Sequence, residues 1–273
     1  MFRDVELSPD SRTALVRMMP KGITEAGDLW TIDVSRGVGS RLTHGINSLN
    51  ARWAHDGEHV LFDAHHGTGE GIYRKRSDGT GSDELVWKTS GTLADVSGDG
   101  RLIVEDGHSC IVVDPVKHSP TAVITDLGRT EGITAGLSAA TSCGRLAEDM
   151  RVIAYTLDVS GQAEVYVAPF PQGTPRVQVS RDGGREPRWR KDGRELFYLS
   201  PDGTVMSVAL THTPALQVSA PRALFRGGPL TTGPAPGYSV SSDGQRFLMV
   251  DPVGDPRADA LTLIVGWNKT LPQ

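Results

Sequence analysis

The chain has 273 residues and a mass of 29.2 kDa, long enough to bury a large core without disulfide or metal support. It carries 28 basic and 33 acidic residues, a formal net charge of -5, with no basic cluster, which argues against nucleic acid as a partner. Its apolar runs are far shorter than a membrane span.

A turn built around an aspartate recurs along the whole chain. An aspartate accepts hydrogen bonds from the amides just ahead of it, and a following glycine adopts the positive φ that reverses a hairpin. The copies are Leu7-Ser-Pro-Asp10-Ser, Trp53-Ala-His-Asp56-Gly, Val96-Ser-Gly-Asp99-Gly, Leu146-Ala-Glu-Asp149-Met, Trp189-Arg-Lys-Asp192-Gly and Val240-Ser-Ser-Asp243-Gly. The aspartates are 46, 43, 50, 43 and 51 residues apart, which is about the length of one propeller blade.

The unit between Arg185 and Leu210 shows the local structure most clearly. It reads as three short strands joined by the turns Asp192-Gly193 and Asp202-Gly203. Similar strand patterns follow every turn aspartate, with a fourth, outer strand in most units. The sequence therefore predicts an all-β fold, a six-bladed β-propeller with four antiparallel strands per blade.

We expect one domain over residues 1–273. The predicted blades cover residues 1–46, 47–90, 91–126, 137–181, 184–227 and 236–268. Only six residues follow Trp267, so the last blade has either three strands or a partner strand from elsewhere. In the second case the sequence is the tail of a longer protein.

The turn and strand pattern resembles the WD40-like propeller repeats of the TolB type. The resemblance is strongest in Glu186-Pro-Arg-Trp-Arg-Lys-Asp-Gly-Arg-Glu-Leu-Phe-Tyr198. More narrowly, Glu164-Val-Tyr-Val-Ala-Pro-Phe-Pro171 and Val265-Gly-Trp-Asn-Lys-Thr-Leu271 are similar to the sensor propeller that follows the kinase domain and membrane helix of bacterial Ser/Thr protein kinases. The sequence lacks the kinase motifs, so the resemblance implies a binding module and no kinase activity.

We expect a non-enzymatic scaffold that binds a protein or a small ligand through the loops at the mouth of its central channel. Such a scaffold could be the sensor portion of a larger signalling protein. Residues at the starts of the innermost strands would line the mouth, so Arg52, Asp95 and Arg188 are the candidate ligand-binding residues. The alternatives are a propeller hydrolase or lactonase with a metal at the channel mouth, the gating propeller of a prolyl-oligopeptidase-like peptidase, or a fragment without a role of its own.

Other polar residues have structural interpretations. Asp63 and His65 share one face of a strand and are weak candidates for metal ligands, but a metal site needs three or four converging ligands. The turn interpretation covers Asp56, Gly57, Asp99, Gly100, Asp192, Gly193, Asp243 and Gly244. We therefore predict no catalytic residue and no cofactor.

The two cysteines, Cys110 and Cys143, are too few for a disulfide framework and are predicted to be buried, unpaired thiols. No signal peptide precedes Phe2, which predicts a cytoplasmic protein as encoded, whereas the resemblance implies a periplasmic or extracytoplasmic location within a longer protein. We expect a monomer without nucleic acid partners and without a membrane span.

Overall fold

The structure is a computed structural model that describes residues 2–19, 27–45, 50–66, 69–106, 109–124, 142–149, 151–158, 161–211, 215–227, 237–252 and 259–265. All regular structure within these ranges is β-strand, arranged as antiparallel sheets. No helix in these ranges has the length and apolar character needed to cross a lipid bilayer. The expectation of an all-β propeller is confirmed.

The first three sheets each have four strands in chain order. The first contains β1 (Phe2–Leu7), β2 (Thr13–Met18), β3 (Asp28–Asp33) and β4 (Gly39–Arg41). The second contains β5 (Ala51–Trp53), β6 (His59–His66), β7 (Gly69–Arg76) and β8 (Glu84–Lys88). The third contains β9 (Thr92–Val96), β10 (Leu102–Asp106), β11 (Ser109–Asp114) and β12 (Ser119–Ile124).

The remaining sheets differ in strand number. The fourth contains β13 (Ser142–Leu146), β14 (Val152–Asp158), β15 (Ala163–Pro169) and β16 (Val177–Gln178). The fifth contains β17 (Arg185–Trp189), β18 (Glu195–Leu199), β19 (Thr204–Thr211), β20 (Gln217–Val218) and β21 (Arg222–Arg226). The sixth contains β22 (Tyr238–Val240), β23 (Arg246–Pro252) and β24 (Asp259–Val265).

Five of the sheets are complete blades, since they have at least four strands, and in the described part of the chain the sixth sheet has three. The predicted number of six blades is therefore wrong, because the described part of the chain has five complete blades, and the sixth sheet has the three strands that were one alternative for the last blade. Within the described ranges β24 is the last strand of the sixth sheet, and it pairs with β23 alone. The first strands of neighbouring sheets contact one another in order, and β22 contacts β1, so the ring is closed.

The turn aspartates have the hydrogen bonds that their sequence context favours. In each turn the carboxylate accepts the amide two positions ahead, as in Glu58 N to Asp56 Oδ1 at 2.8 Å and Gln245 N to Asp243 Oδ1 at 2.9 Å. Gly57 and Gly244 follow with φ values of 69° and 73°. These bonds keep the carboxylates within their own turns, which is a structural role.

Apolar side chains alternate along the inner strands and fill the space between neighbouring sheets. On β2, Ala14 and Val16 pack against the sixth sheet, while Leu15, between them, packs against the second. Every interface between successive sheets has such a cluster of buried residues. The period of two residues in a strand thus places alternate side chains in two different interfaces.

The prediction of unpaired thiols is wrong, because Cys110 is disulfide-bonded and no free cysteine occurs in the described part of the chain. The sequence has one other cysteine, Cys143, on β13. Cys110 is buried in the cluster between the third and fourth sheets. Spacing in the sequence gave no indication of this pairing, since it depends on how two sheets are packed.

We expect reduction of the disulfide to destabilise the ring by about 2–4 kcal/mol, because the cross-link restricts the unfolded chain. Urea unfolding with and without dithiothreitol measures this loss. A Cys110→Ser variant should show no response to the reductant. Reaction of the unreduced, denatured protein with a maleimide would contradict the pairing.

Candidate functional site

The candidate site is at the end of the central channel where the first two strands of each sheet are joined. Four positions before each turn aspartate, every first strand places one residue beside the channel. Five of these residues are charged. The set is Glu6, Arg52, Asp95, Arg145, Arg188 and Ser239, which we call the channel ring.

Two arginines of the channel ring hydrogen-bond the following sheet. Arg52 Nε donates to Ala94 O at 2.9 Å, and Arg188 Nε donates to Tyr238 O at 3.2 Å. Each arginine also donates from Nη1 to the carbonyl of the residue before it, at 2.7 Å for Arg52 and 3.1 Å for Arg188. Both guanidinium groups are therefore positioned by backbone carbonyls at a fixed height in the channel.

The tryptophan after each of these arginines hydrogen-bonds the preceding sheet. Trp53 Nε1 donates to Glu6 O at 3.3 Å, and Trp189 Nε1 donates to Arg145 O at 2.7 Å. An Arg-Trp pair thus bonds the next sheet with its first residue and the previous sheet with its second. Each tryptophan therefore adds a directional hydrogen bond to the apolar packing between two sheets.

The two remaining interfaces use a side-chain acceptor and a backbone donor. The Asp95 carboxylate accepts Leu146 N at 3.1 Å, and it also accepts Arg145 Nη1 at 2.7 Å. Ser239 Oγ accepts Leu7 N at 2.9 Å across the closure between the sixth and first sheets. Every interface around the channel is therefore joined by at least one hydrogen bond that involves a channel-ring residue.

A cavity of about 200 Å³ opens at this end of the channel. Residues from the first strands of all the sheets line it, and the turns that follow form its rim. The polar lining residues include Glu6, His55, Asp95, Arg145, Glu148, Arg188, Arg190 and Lys191. Its walls are therefore highly charged, although the sheets themselves are packed through apolar faces.

Burial and mutual repulsion act on the arginines of the channel ring. Burial, followed by repulsion from Arg145, lowers the pKa of Arg52 to about 10 and also lowers the pKa of Arg188. Burial acts to lower the pKa of Arg145 as well, but the carboxylates of Asp95 and Glu6 outweigh it and raise that pKa. The three guanidinium groups are thus close enough to affect one another.

Buried carboxylates accompany these cations. Burial raises the pKa of Glu6 and of Glu186, and nearby arginines offset only part of the increase. Oε2 of Glu6 lies 3.7 Å from Arg52 Nε, and Oε2 of Glu186 lies 3.6 Å from Arg188 Nη2. Neither oxygen has a hydrogen-bond partner within the ranges that the structure describes. The channel therefore holds acidic groups whose neutral form is favoured by the fold.

Strained backbone positions place two of the acidic residues. Asp4 and Glu186 occupy the same register position in β1 and β17, at irregularities in strand pairing, and have φ values of 45° and 53°. Such values are uncommon for residues with a side chain. The Asp4 carboxylate forms an ion pair with Arg17 Nη2 at 2.9 Å.

Asp63, one of the two predicted metal ligands, hydrogen-bonds backbone amides. The Asp63 carboxylate accepts Asn50 N and Leu93 N, both at 2.9 Å, and so connects the second and third sheets. His65 lies on β6, and its side chain is outside the described part of the structure. The described residues contain no group of three side chains suited to a metal ion.

The structure brings the three predicted ligand-binding residues into one ring but gives them different surroundings. Asp95 and Arg188 line the cavity, whereas Arg52 lies beside it. Sequence reasoning missed Glu6, Arg145 and Ser239. The signal was present, because all three have the same spacing from a turn aspartate as the predicted residues.

The comparison with solved structures supports the fold. No family model and no curated protein matches the chain. A protein assigned as TolB from Agrobacterium tumefaciens has a TM-score of 0.62 and 15% identity, covering 97% of this chain and 90% of its own. TolB from Acinetobacter baumannii has a TM-score of 0.67 and 15% identity, covering 96% of this chain and 63% of its own.

A chain of the mitotic checkpoint complex is also similar, with a TM-score of 0.57 and 11% identity over 96% of this chain and 86% of that one. At these identities the likeness establishes the fold alone. The chain spans less than two thirds of the Acinetobacter protein. The predicted likeness to TolB-type, WD40-like propellers is confirmed, and the link to kinase sensor domains stays a prediction.

We expect Trp189→Phe to lower the free energy of unfolding by about 1–3 kcal/mol, because it leaves the partly buried Arg145 carbonyl without its donor. Urea unfolding followed by circular dichroism measures this loss. Trp87→Phe is the matched control, since Trp87 lies in the outer strand β8 of another sheet. Equal losses in both variants would argue against the importance of the inter-sheet bond.

We expect the folded protein to lose stability as the pH rises above the ordinary range for glutamate. A carboxyl group whose pKa is raised in the folded state binds more protons there than in the unfolded chain. Its stabilising effect is therefore lost as the pH rises from the unfolded-state pKa through the folded-state pKa. Glu6→Gln should flatten this decline in urea unfolding as the pH rises from the ordinary glutamate pKa of about 4. Glu58→Gln, in an exposed turn, is the control, and parallel curves for wild type and Glu6→Gln would contradict the expectation.

Proposed function

We propose that this protein is a non-enzymatic scaffold that binds a partner protein at the mouth of its central channel. The observation that carries the proposal is the charged cavity at that mouth, lined from the first strand of every sheet. Because no single sheet forms the cavity, its shape depends on the closed ring. A TolB-like fold is consistent with such a role, although a fold by itself does not determine function.

The site is organised before any partner arrives. Arg188 is held by two backbone carbonyls, and Asp95 is held by Arg145 and the Leu146 amide. Side chains fixed in this way lose little conformational entropy on binding, which favours recognition by a rigid surface. The hydrogen bonds of Arg188 and Asp95 hold these side chains in place. A fixed set of charged side chains supports a binding role in preference to a catalytic one.

We infer an extracytoplasmic location. The disulfide at Cys110 supports it, because disulfides persist in oxidising compartments and are rare in the cytosol. A sensor portion of a larger signalling protein would fit this location and the resemblance of the repeat sequences. In that arrangement the channel mouth would present the binding surface.

The proposal is tested by photo-crosslinking in the native host. A benzoylphenylalanine in place of His55, at the rim of the cavity, should give a discrete crosslinked protein. The same group in place of Thr80, in an exposed outer turn, is the control. The product at position 55 should disappear when excess unlabelled wild-type protein is added. No product at position 55, or the same product at both positions, would contradict the proposal.

A further inference from the structure

We propose that the channel mouth accepts the carboxylate side chain of a glutamate or aspartate from the partner protein. This inference rests on the proposed function and adds the chemistry that the partner must present. It follows from the distribution of charge around the cavity, from the contacts of its acidic groups and from the donors that remain.

The cations of the cavity are gathered on one side. Arg145 comes from the fourth sheet, and Arg188, Arg190 and Lys191 come from the fifth. Arg190 is already paired with Asp192 and Glu195, so the wall that these two neighbouring sheets offer to an anion consists of Arg145, Arg188 and Lys191. Repulsion from Arg145 contributes to the lowered pKa of Arg188, so an anion placed between the two groups would relieve an existing cost.

The acidic groups of the cavity already have neighbouring side chains that carry hydrogen-bond donors. Asp95 is bonded to Arg145, and Glu148 Oε1 lies 3.5 Å from His55 Nδ1. Glu6 Oε2 lies 3.7 Å from Arg52 Nε. The cavity therefore offers less to a cationic ligand than the number of its carboxylates suggests.

Donors remain for an anion. The hydrogen bond of Arg145 to Asp95 uses Nη1, and a guanidinium has five N–H groups in all. Lys191 is exposed, and it has no ion pair within the described ranges. A carboxylate can therefore be bound by a guanidinium and an ammonium together, which is a strong, charge-assisted contact.

The geometry favours a side chain over a chain terminus. A cavity of about 200 Å³ admits a side chain but no folded element. Chain termini are commonly captured by groups of free backbone amides. At this mouth backbone amides of the turns donate hydrogen bonds to the turn aspartates, as Arg194 N does to Asp192 Oδ1 at 3.1 Å. The donors facing a ligand are thus side chains.

The test is a titration of the whole chain, labelled with 5-fluorotryptophan, with the peptide acetyl-Gly-Glu-Gly-amide. Trp53 and Trp189 line the cavity, whereas Trp30 and Trp87 lie on β3 and β8, so the protein contains its own reporters and controls. We expect the fluorine signals of Trp53 and Trp189 to shift, and those of Trp30 and Trp87 to stay unchanged. The matched peptide acetyl-Gly-Gln-Gly-amide should shift none of these signals.

Two charge reversals make the test specific. Lys191→Glu should lower the affinity for the Glu peptide by about fivefold or more, which corresponds to the loss of one ion pair at a surface. Lys88→Glu, on the outer strand β8, should leave binding unchanged. Equal shifts with the Glu and Gln peptides would overturn the inference, and so would equal effects of the two variants.

A third peptide separates the sources of a carboxylate. Acetyl-Gly-Gln-Gly with a free terminus should not shift the signals of Trp53 and Trp189, and a shift with this peptide alone would overturn the side-chain assignment. If the Glu peptide fails while the crosslink at position 55 persists, the inference falls and the proposed function stands. If the crosslink fails while the Glu peptide binds, the proposed protein-binding function falls.

Discussion

The structure depends on one circle of hydrogen bonds around the central channel. Apolar clusters hold neighbouring sheets together, but such packing has little directional preference. The bonds of the channel ring are directional, and each joins two sheets at the same height, from Trp53 and Glu6 through to Ser239 and Leu7. Closure of the ring and the geometry of the cavity are therefore consequences of the same contacts.

This dual use explains the chemistry of the site. Charged side chains that are buried need partners, and here the partners are backbone carbonyls and neighbouring charges of the ring itself. Arg188 has a structural bond to Tyr238 O, yet it also lines the cavity. Changing it would alter the fold and the binding surface together, and for this reason the exposed Lys191 is the more informative position for separating them.

Much of the fold was predictable because the turns are local. An aspartate and a glycine such as Asp56 and Gly57 determine a turn through bonds to adjacent residues, and the strands follow by alternation. Contacts between different sheets were harder to predict from the sequence. The state of Cys110 and the neighbours of Glu6 depend on which sheets are adjacent and at what height, and nothing in the local sequence carries that information.

The residues that directly follow the channel ring have a periodicity of their own. In chain order they are Leu7, Trp53, Val96, Leu146, Trp189 and Val240, so the order leucine, tryptophan, valine occurs twice. The two Arg-Trp pairs accordingly stand half a circuit apart, with matching bonds. The circle of hydrogen bonds therefore repeats after three sheets, since the bond from Leu146 N to Asp95 also matches the bond from Leu7 N to Ser239.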